Sequence, residues 1–174
     1  MKLVKPTWEL QAAAEAFKQE FFDCGETIIN GSALLDQMDY GQWLENTARN
    51  SSPNTVRPDW VVSDTFFAVR EPDGKILGII DIRHSLDNDF LSQYGGHIGY
   101  AIRPHERRKG YAAEMLRLAL AYAKDIGLES VMLGCYCDNT ASKKTIEKCG
   151  GILTETKPYM DGTMMDVYWI ELSA

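Results

Sequence analysis

RPHERRKGYA, residues 103–112, follows the apolar run HIGYAI at 97–102 and precedes AEMLRLALAYAKDIG at 113–127. Three arginines, a lysine and a histidine crowd into seven residues, with one glutamate among them. The run before the turn reads as a short strand. After it, Ala112, Met115, Leu116, Ala119, Leu120 and Ala123 recur at helical spacing on one face, and Gly127 can stop that helix. The free N–H groups of a helix start carry partial positive charge and favour a phosphate. Gly110 lets backbone approach such a ligand closely. A solvated turn with a capping glycine is the other reading of the same residues. Gly110 is not followed by Lys-Ser/Thr, so the stretch is not a Walker A loop, and one glycine does not make GxGxxG.

The rest of the chain surrounds this unit with strands and helices. Residues 7–22 and 34–48 read as helices, the second weakened by Gly41. Residues 50–59 are loop. WVVSDTFFAVR, EPDG and KILGIIDIRH form strand, turn and strand, a hairpin, and HSLDNDFLSQYGG a longer loop. ESVMLGCYC predicts a strand, and DNTASKKTIEKCGG a helix capped by Asp138 or Asn139 and stopped at Gly150-Gly151. Two strands, about 152–157 and 164–172, close the order of a mixed α/β domain around one central sheet. Asn139 and Ser142, three apart, share a face near that helix start, as cap and small residue or as part of a site.

In combination these pieces resemble the GNAT acetyltransferases. Arg107, Gly110 and Ala112 match that family's Q/R-x-x-G-x-G/A. Asn139, Ser142 and Glu147-Lys148-Cys149-Gly150 match its later Asn, small residue and E-K-x-G. The likeness is strongest over 76–151 and looser, over the whole chain, to bacterial predicted acetyltransferases. It implies one acyltransferase domain over 1–174, with a mostly antiparallel twisted sheet of six to seven strands. Helices would cover both faces, and the fourth and fifth strands would splay apart. It implies acetyl-CoA as cosubstrate, no metal, and acetyl transfer to a primary amine of a small molecule or peptide by direct attack on the thioester. Ala101, Ile102 and Arg103 would pair with the pantetheine amides. The N–H groups of Arg108, Lys109, Gly110, Tyr111 and Ala112 would wrap the pyrophosphate, Arg107 or Arg108 would meet a phosphate, and Asn139 would bond the pantetheine. Relatives often place a tyrosine acid where this chain has Ile146. Ser142 is therefore the catalytic candidate, as in N-terminal acetyltransferases of ribosomal proteins, with Tyr136 and Tyr100 behind it. No general base is evident; His97 and Asp81 are the two considered. The acceptor groove is expected beside Asp23, Glu26, Asp161 and Asp166, which favour a cation, with Tyr159, Met160, Met164 and Met165 as its adaptable side.

Composition bounds the alternatives. The chain has 174 residues and a net charge of −7, which argues against a general nucleic-acid binder. No apolar stretch reaches the roughly 18 residues of a membrane span, and MKLVKPTWEL lacks a signal-peptide core, so a cytoplasmic location is expected. Cys24, Cys135, Cys137 and Cys149 form no CxxC, and His84, His97 and His105 show no ligand spacing; free thiols are expected. A homodimer is admissible. The rival functional reading is a non-catalytic acyl-CoA-binding sensor or scaffold.

Overall fold

The computed structural model describes residues 1–172. Strands β1 (Lys2–Val4), β2 (Ser63–Val69), β3 (Ile76–Arg83) and β4 (Ile98–Ile102) form one antiparallel sheet in the order β1-β2-β3-β4. Strands β5 (Ser130–Tyr136), β6 (Ile152–Pro158) and β7 (Met164–Glu171) form a second, ordered β5-β7-β6. The helices are α1 (Gln11–Asp23), α2 (Tyr40–Asn50), α3 (Tyr111–Asp125) and α4 (Thr140–Lys148).

Strands β2 and β3 are buried almost throughout, so both of their faces are covered. Side chains alternate across a strand. Phe66, Ala68, Ile80 and Ile82 therefore pack with Met115, Leu116 and Ala119 of α3, while Phe67, Val69 and Ile79 pack with Ala14, Phe17 and Phe21 of α1 and Trp43 of α2. Each such large side chain contributes roughly 1.5–3 kcal/mol by leaving water. On the α3 side the buried Asp64 carboxylate of β2 accepts from Lys5, from Tyr122 of α3 (2.7 Å), and lies 2.7 Å from His84 Nε2. These partners tie the chain just after β1, the end of β3 and α3 to one point.

The mixed α/β architecture with its antiparallel pairing matches expectation, and the seven strands separate into two sheets. Two elements differ from the reading of the sequence. β1 is only three residues long, too short to show a period. The helix expected over 34–48 is a short 3-10 turn, Leu35–Gln37, followed by α2; Met38 is extended, and Asp39 restarts the helix by accepting from the Gln42 N–H at 3.0 Å. The long loop before β4 also contains a π-helical turn, Leu91–Gly95.

The two sheets meet just before β4 and midway along β5. Gly96 and Leu133 make an isolated bridge. Beside it the His97 N–H donates to the Met132 carbonyl (2.8 Å), and the Met132 N–H donates to His97 Nδ1 (2.9 Å). The ring lies edge-on to Trp169 of β7, centroids 6.0 Å apart. Burial, and after it the Arg83 charge, push the His97 imidazole down to about 4. The neutral ring thus fastens one sheet to the other.

This pin has a pH signature. The unfolded imidazole titrates near ~6.5 and the folded one near 4. As pH falls through that window the unfolded chain takes a proton that the native state refuses, so stability drops, by about 3 kcal/mol at most from this group. Urea unfolding between pH 7 and pH 4 should show that loss. The His97→Asn variant, whose Oδ1 can accept in place of Nδ1, should lose less stability over the same range; equal losses would exclude the assignment.

Candidate active site

Beyond Gly96 and Leu133 the strands share no ladder, and between them opens a cleft of about 830 Å³. On β4, the Arg103 N–H donates to Leu77 O and His97 O accepts from the Arg83 N–H, both toward β3. Because backbone groups alternate sides along a strand, Ala101 also faces β3, and the N–H groups of Tyr100 and Ile102 face the open edge. Ile102 is thus the member of the expected trio whose backbone is turned to the cleft. Ala101 is among the residues that line it.

Gly110, at φ 84, precedes α3 without any side-chain cap, so the N–H groups of Tyr111, Ala112 and Ala113 have no intrahelical acceptor. Arg108 also takes a positive φ, 63. The two left-handed residues curl the 107–112 backbone around the end of the cleft, which Arg107, Arg108, Gly110, Tyr111 and Ala112 line.

Most charges of the segment are matched internally. Arg103 bonds Glu20 of α1 at 2.5 Å and the Ile76 carbonyl at 3.2 Å. The His105 N–H and Nδ1 both reach Glu20, at 2.9 and 3.0 Å. Glu106 is buried and bonds Lys109 (2.8 Å) and Lys75 (2.6 Å), whose hydrogen bonds hold its carboxyl down to about 2. Arg107 grips Glu26 with both terminal nitrogens (2.6 and 2.8 Å) and the Ile102 carbonyl with Nε (3.1 Å). That grip keeps the Glu26 carboxyl below the usual range. Arg103 and Lys109 do not line the cleft; Arg108 does, and among the described residues it has no ion-pair partner.

Across the cleft Asn139, rather than Asp138, caps α4, its Oδ1 accepting from the Ser142 N–H at 3.1 Å. The Ser142 hydroxyl lies 2.9 Å from the Tyr100 hydroxyl of β4. Burial pushes the Tyr100 phenol up to about 12, against the opposing hydrogen bond from Ser142. Burial and then the Asp166 charge push the adjacent Cys135 thiol up to about 11. Ile146 is wholly buried in the core and turns no group to the cleft.

Neither histidine nor aspartate considered as a base lies on this cleft. His97 holds the sheets together, and Asp81 accepts from Thr65 Oγ1 (2.8 Å) and Arg83 Nε (3.0 Å). The acids expected beside the acceptor are also occupied. Glu26 holds Arg107, Asp23 accepts from Gln19, and Asp161 caps its own turn through Thr163. Asp166 is buried against Lys143, Thr156 and Cys137. The wall at that end is aromatic instead. Tyr159, which was expected there, meets Tyr94 (5.0 Å), Tyr136 (5.7 Å) and Phe90 (6.3 Å) edge-to-face. Phe90 and Tyr94 come from the π-helical turn and its start, a segment that reads only as loop in the sequence. Among the described residues no cluster of His, Cys, Asp or Glu could hold a metal ion, and no helix is long and apolar enough to cross a membrane.

The comparisons with known proteins agree with this fold. A family model described as an acetyltransferase (GNAT) domain matches residues 8–152. Among solved structures, an N-acetyltransferase of Staphylococcus aureus Mu50 is 19% identical with a TM-score of 0.65, over 99% of this chain and 98% of that one. A mutant spermidine N-acetyltransferase of Vibrio cholerae is 14% identical with a TM-score of 0.68, over 99% and 96%. The Microcin C7 self immunity acetyltransferase MccE, solved with acetyl-CoA and AMP, is 14% identical with a TM-score of 0.69, over 97% and 91%. At these identities the likeness is one of fold. No curated protein matches significantly. The family model spans most of the sequence, including both motifs that flank the cleft, and the chain therefore belongs to the GNAT acetyltransferase family.

Proposed function

We propose that the chain is an acetyl-CoA-dependent N-acetyltransferase, one domain over 1–174, acting on a primary amine. The observation that carries this is the cleft itself, which has an unpaired strand edge along one wall and an uncapped helix start at one end. The edge N–H group of Ile102 suits an amide of a pantetheine arm, as in strand addition. The N–H groups from Arg108 to Ala112 suit a pyrophosphate, with the Arg108 guanidinium as the nearby charge. Asn139 fixes the start of α4 and lines the same space. Acetyl-CoA supplies the thioester.

The chemistry follows from what the residues can do. The neutral acceptor amine attacks the thioester carbonyl, the carbon–sulfur bond breaks, and the amine's surplus proton passes to water. The Tyr100 N–H, on the same edge and farther from the helix start, is the donor placed for the oxyanion. Ser142 donates to the leaving sulfur while its oxygen accepts from Tyr100. A thiol with pKa near ~8.5 is far more acidic than Tyr100 at about 12. The pair therefore stabilises the thiolate by hydrogen bonding and keeps its own protons.

Two measurements test this. Acetyl-CoA should raise the melting temperature, since a ligand at about a hundredfold over Kd adds roughly 2.7 kcal/mol to native stability. Gly110→Val, which strains the left-handed position, should cut that shift; no shift in the parent chain would overturn the reading. Thiol release with an amine panel then separates enzyme from sensor. With an active amine, Ser142→Ala should lower kcat about tenfold with little change in acetyl-CoA KM. Tyr100→Phe added to it should cost little more, because both act through one hydrogen bond. Unchanged kcat in Ser142→Ala would remove it from the mechanism.

A further inference from the structure

Strand β6 is the outer strand of the second sheet, and among the described residues its far edge pairs with no other strand. Six of its seven residues are exposed, whereas most of β7 beside it is buried, so nothing covers β6 from either face. Ile152 is 66% exposed, and Met160, in the turn that follows the strand, 69%. A strand edge left bare in this way offers a row of N–H and C=O groups to another strand.

The register to β7 says which groups these are. The Tyr159 N–H donates to the Thr163 carbonyl at 2.7 Å, and Lys157 and Glu155 continue the ladder opposite Met165 and Val167. Backbone groups alternate sides along a strand, so those of Thr156 point away from β7. A bulge between Leu153 and Glu155 on one side, and Pro158 with no N–H on the other, confine any further ladder to the neighbourhood of Thr156. The side chains of Glu155 and Lys157 share one face, their charged ends 3.5 Å apart.

We propose that β6 is a dimerisation strand, pairing antiparallel with β6 of a second copy of this chain about a two-fold axis at Thr156. Thr156 of each copy then exchanges both backbone bonds with its counterpart. Glu155 of each copy lies opposite Lys157 of the other, so four charges alternate in sign on one face. Ile152 of each comes opposite Met160 of the other, and the two exposed side chains cover each other. The register is specific. Moving the axis one residue either way sets Glu155 against Glu155 or Lys157 against Lys157, and like charges directly opposite are destabilising. The pairing uses this edge in both copies, so it stops at two. The interface adjoins the aromatic wall of the cleft, since β6 leads into Tyr159 and the Lys157 ammonium sits 4.9 Å from the centre of the Tyr94 ring. The inference is independent of the acetyltransferase reading.

Sedimentation velocity of the full chain, from micromolar to millimolar concentration, tests this. The parent should pass from a monomer of 19.6 kDa to a species of twice that mass. Glu155→Lys and Lys157→Glu each bring four like charges together. Each should raise the dimer dissociation constant at least about tenfold, through two attractions lost and two repulsions gained. In the double variant Glu155→Lys/Lys157→Glu opposite charges face each other again, and the constant should return to within about threefold of the parent. That recovery distinguishes a lost interface from misfolding of the single variants. A parent chain that stays monomeric throughout, single variants that dimerise as the parent does, or a double variant that stays as weak as the single ones would overturn the proposal.

Discussion

A strand edge that neither pairs nor gets covered is an unusual thing to find next to a protein's core, and here the rest of the structure is arranged around one. From Tyr100 onward the outer edge of β4 carries backbone groups that β5 would satisfy if the ladder continued. What prevents continuation is rigid packing on either side. The sheets are fastened at one point by Gly96–Leu133 and His97. The Tyr94–Tyr159–Tyr136 wall stands beside that point, where the Tyr94 backbone presses on Gly134, and Arg107 braces Ile102 against the α1–α2 segment through Glu26. The ladder ends where its flanks are held apart, and the exposed edge is the template proposed for the amides of a pantetheine arm.

The basic run at 103–109 changes meaning in this light. Its side chains mainly hold the turn in place. Arg103 and His105 dock on Glu20 of α1, Lys109 on Glu106, and Arg107 on Glu26. The pairs to Glu20 and Glu26 join segments distant in sequence, and all of them together fix the curl of backbone before α3. The positive field at the end of the cleft is left to the uncapped N–H groups and to Arg108. Losing Glu20 or Glu26 would therefore disturb the proposed phosphate site, which neither residue needs to touch.

Much of this was legible in sequence, for identifiable reasons. β-Branched and aromatic content on either side of a Pro-Asp-Gly turn found β2 and β3, helical spacing found α3, and the Asn139–Ser142 interval placed both on the start of α4, because those signals are local. Three-residue β1 carries too short a pattern, and Met38–Asp39 breaks a helix that composition alone would continue. Partners were the larger blind spot. A sequence shows that Asp166 and Glu26 are acidic, but not that Lys143 and Arg107 reach them, so the acid-lined groove expected there turned out aromatic.

The absent tyrosine on α4 has a structural counterpart. Ile146 points into the core with Leu116, Leu133 and Tyr168 around it, where a phenol would need a buried partner it cannot find. Moving the aromatic hydroxyl to β4, at Tyr100, solves this differently. There the ring packs on the same core from the strand side, and its hydroxyl emerges against Ser142 at 2.9 Å. A short serine on the helix can then reach the cleft with a longer side chain behind it. Burial makes that phenol a very weak acid, which would suit the proposed role of a donor that stays protonated while negative charge gathers beside it. The two residues are thus better regarded as one hydrogen-bond unit than as a serine acid with a spare tyrosine. The spacing that suggested Ser142 identified only half of it, since the other half lies on β4, 42 residues earlier in the chain.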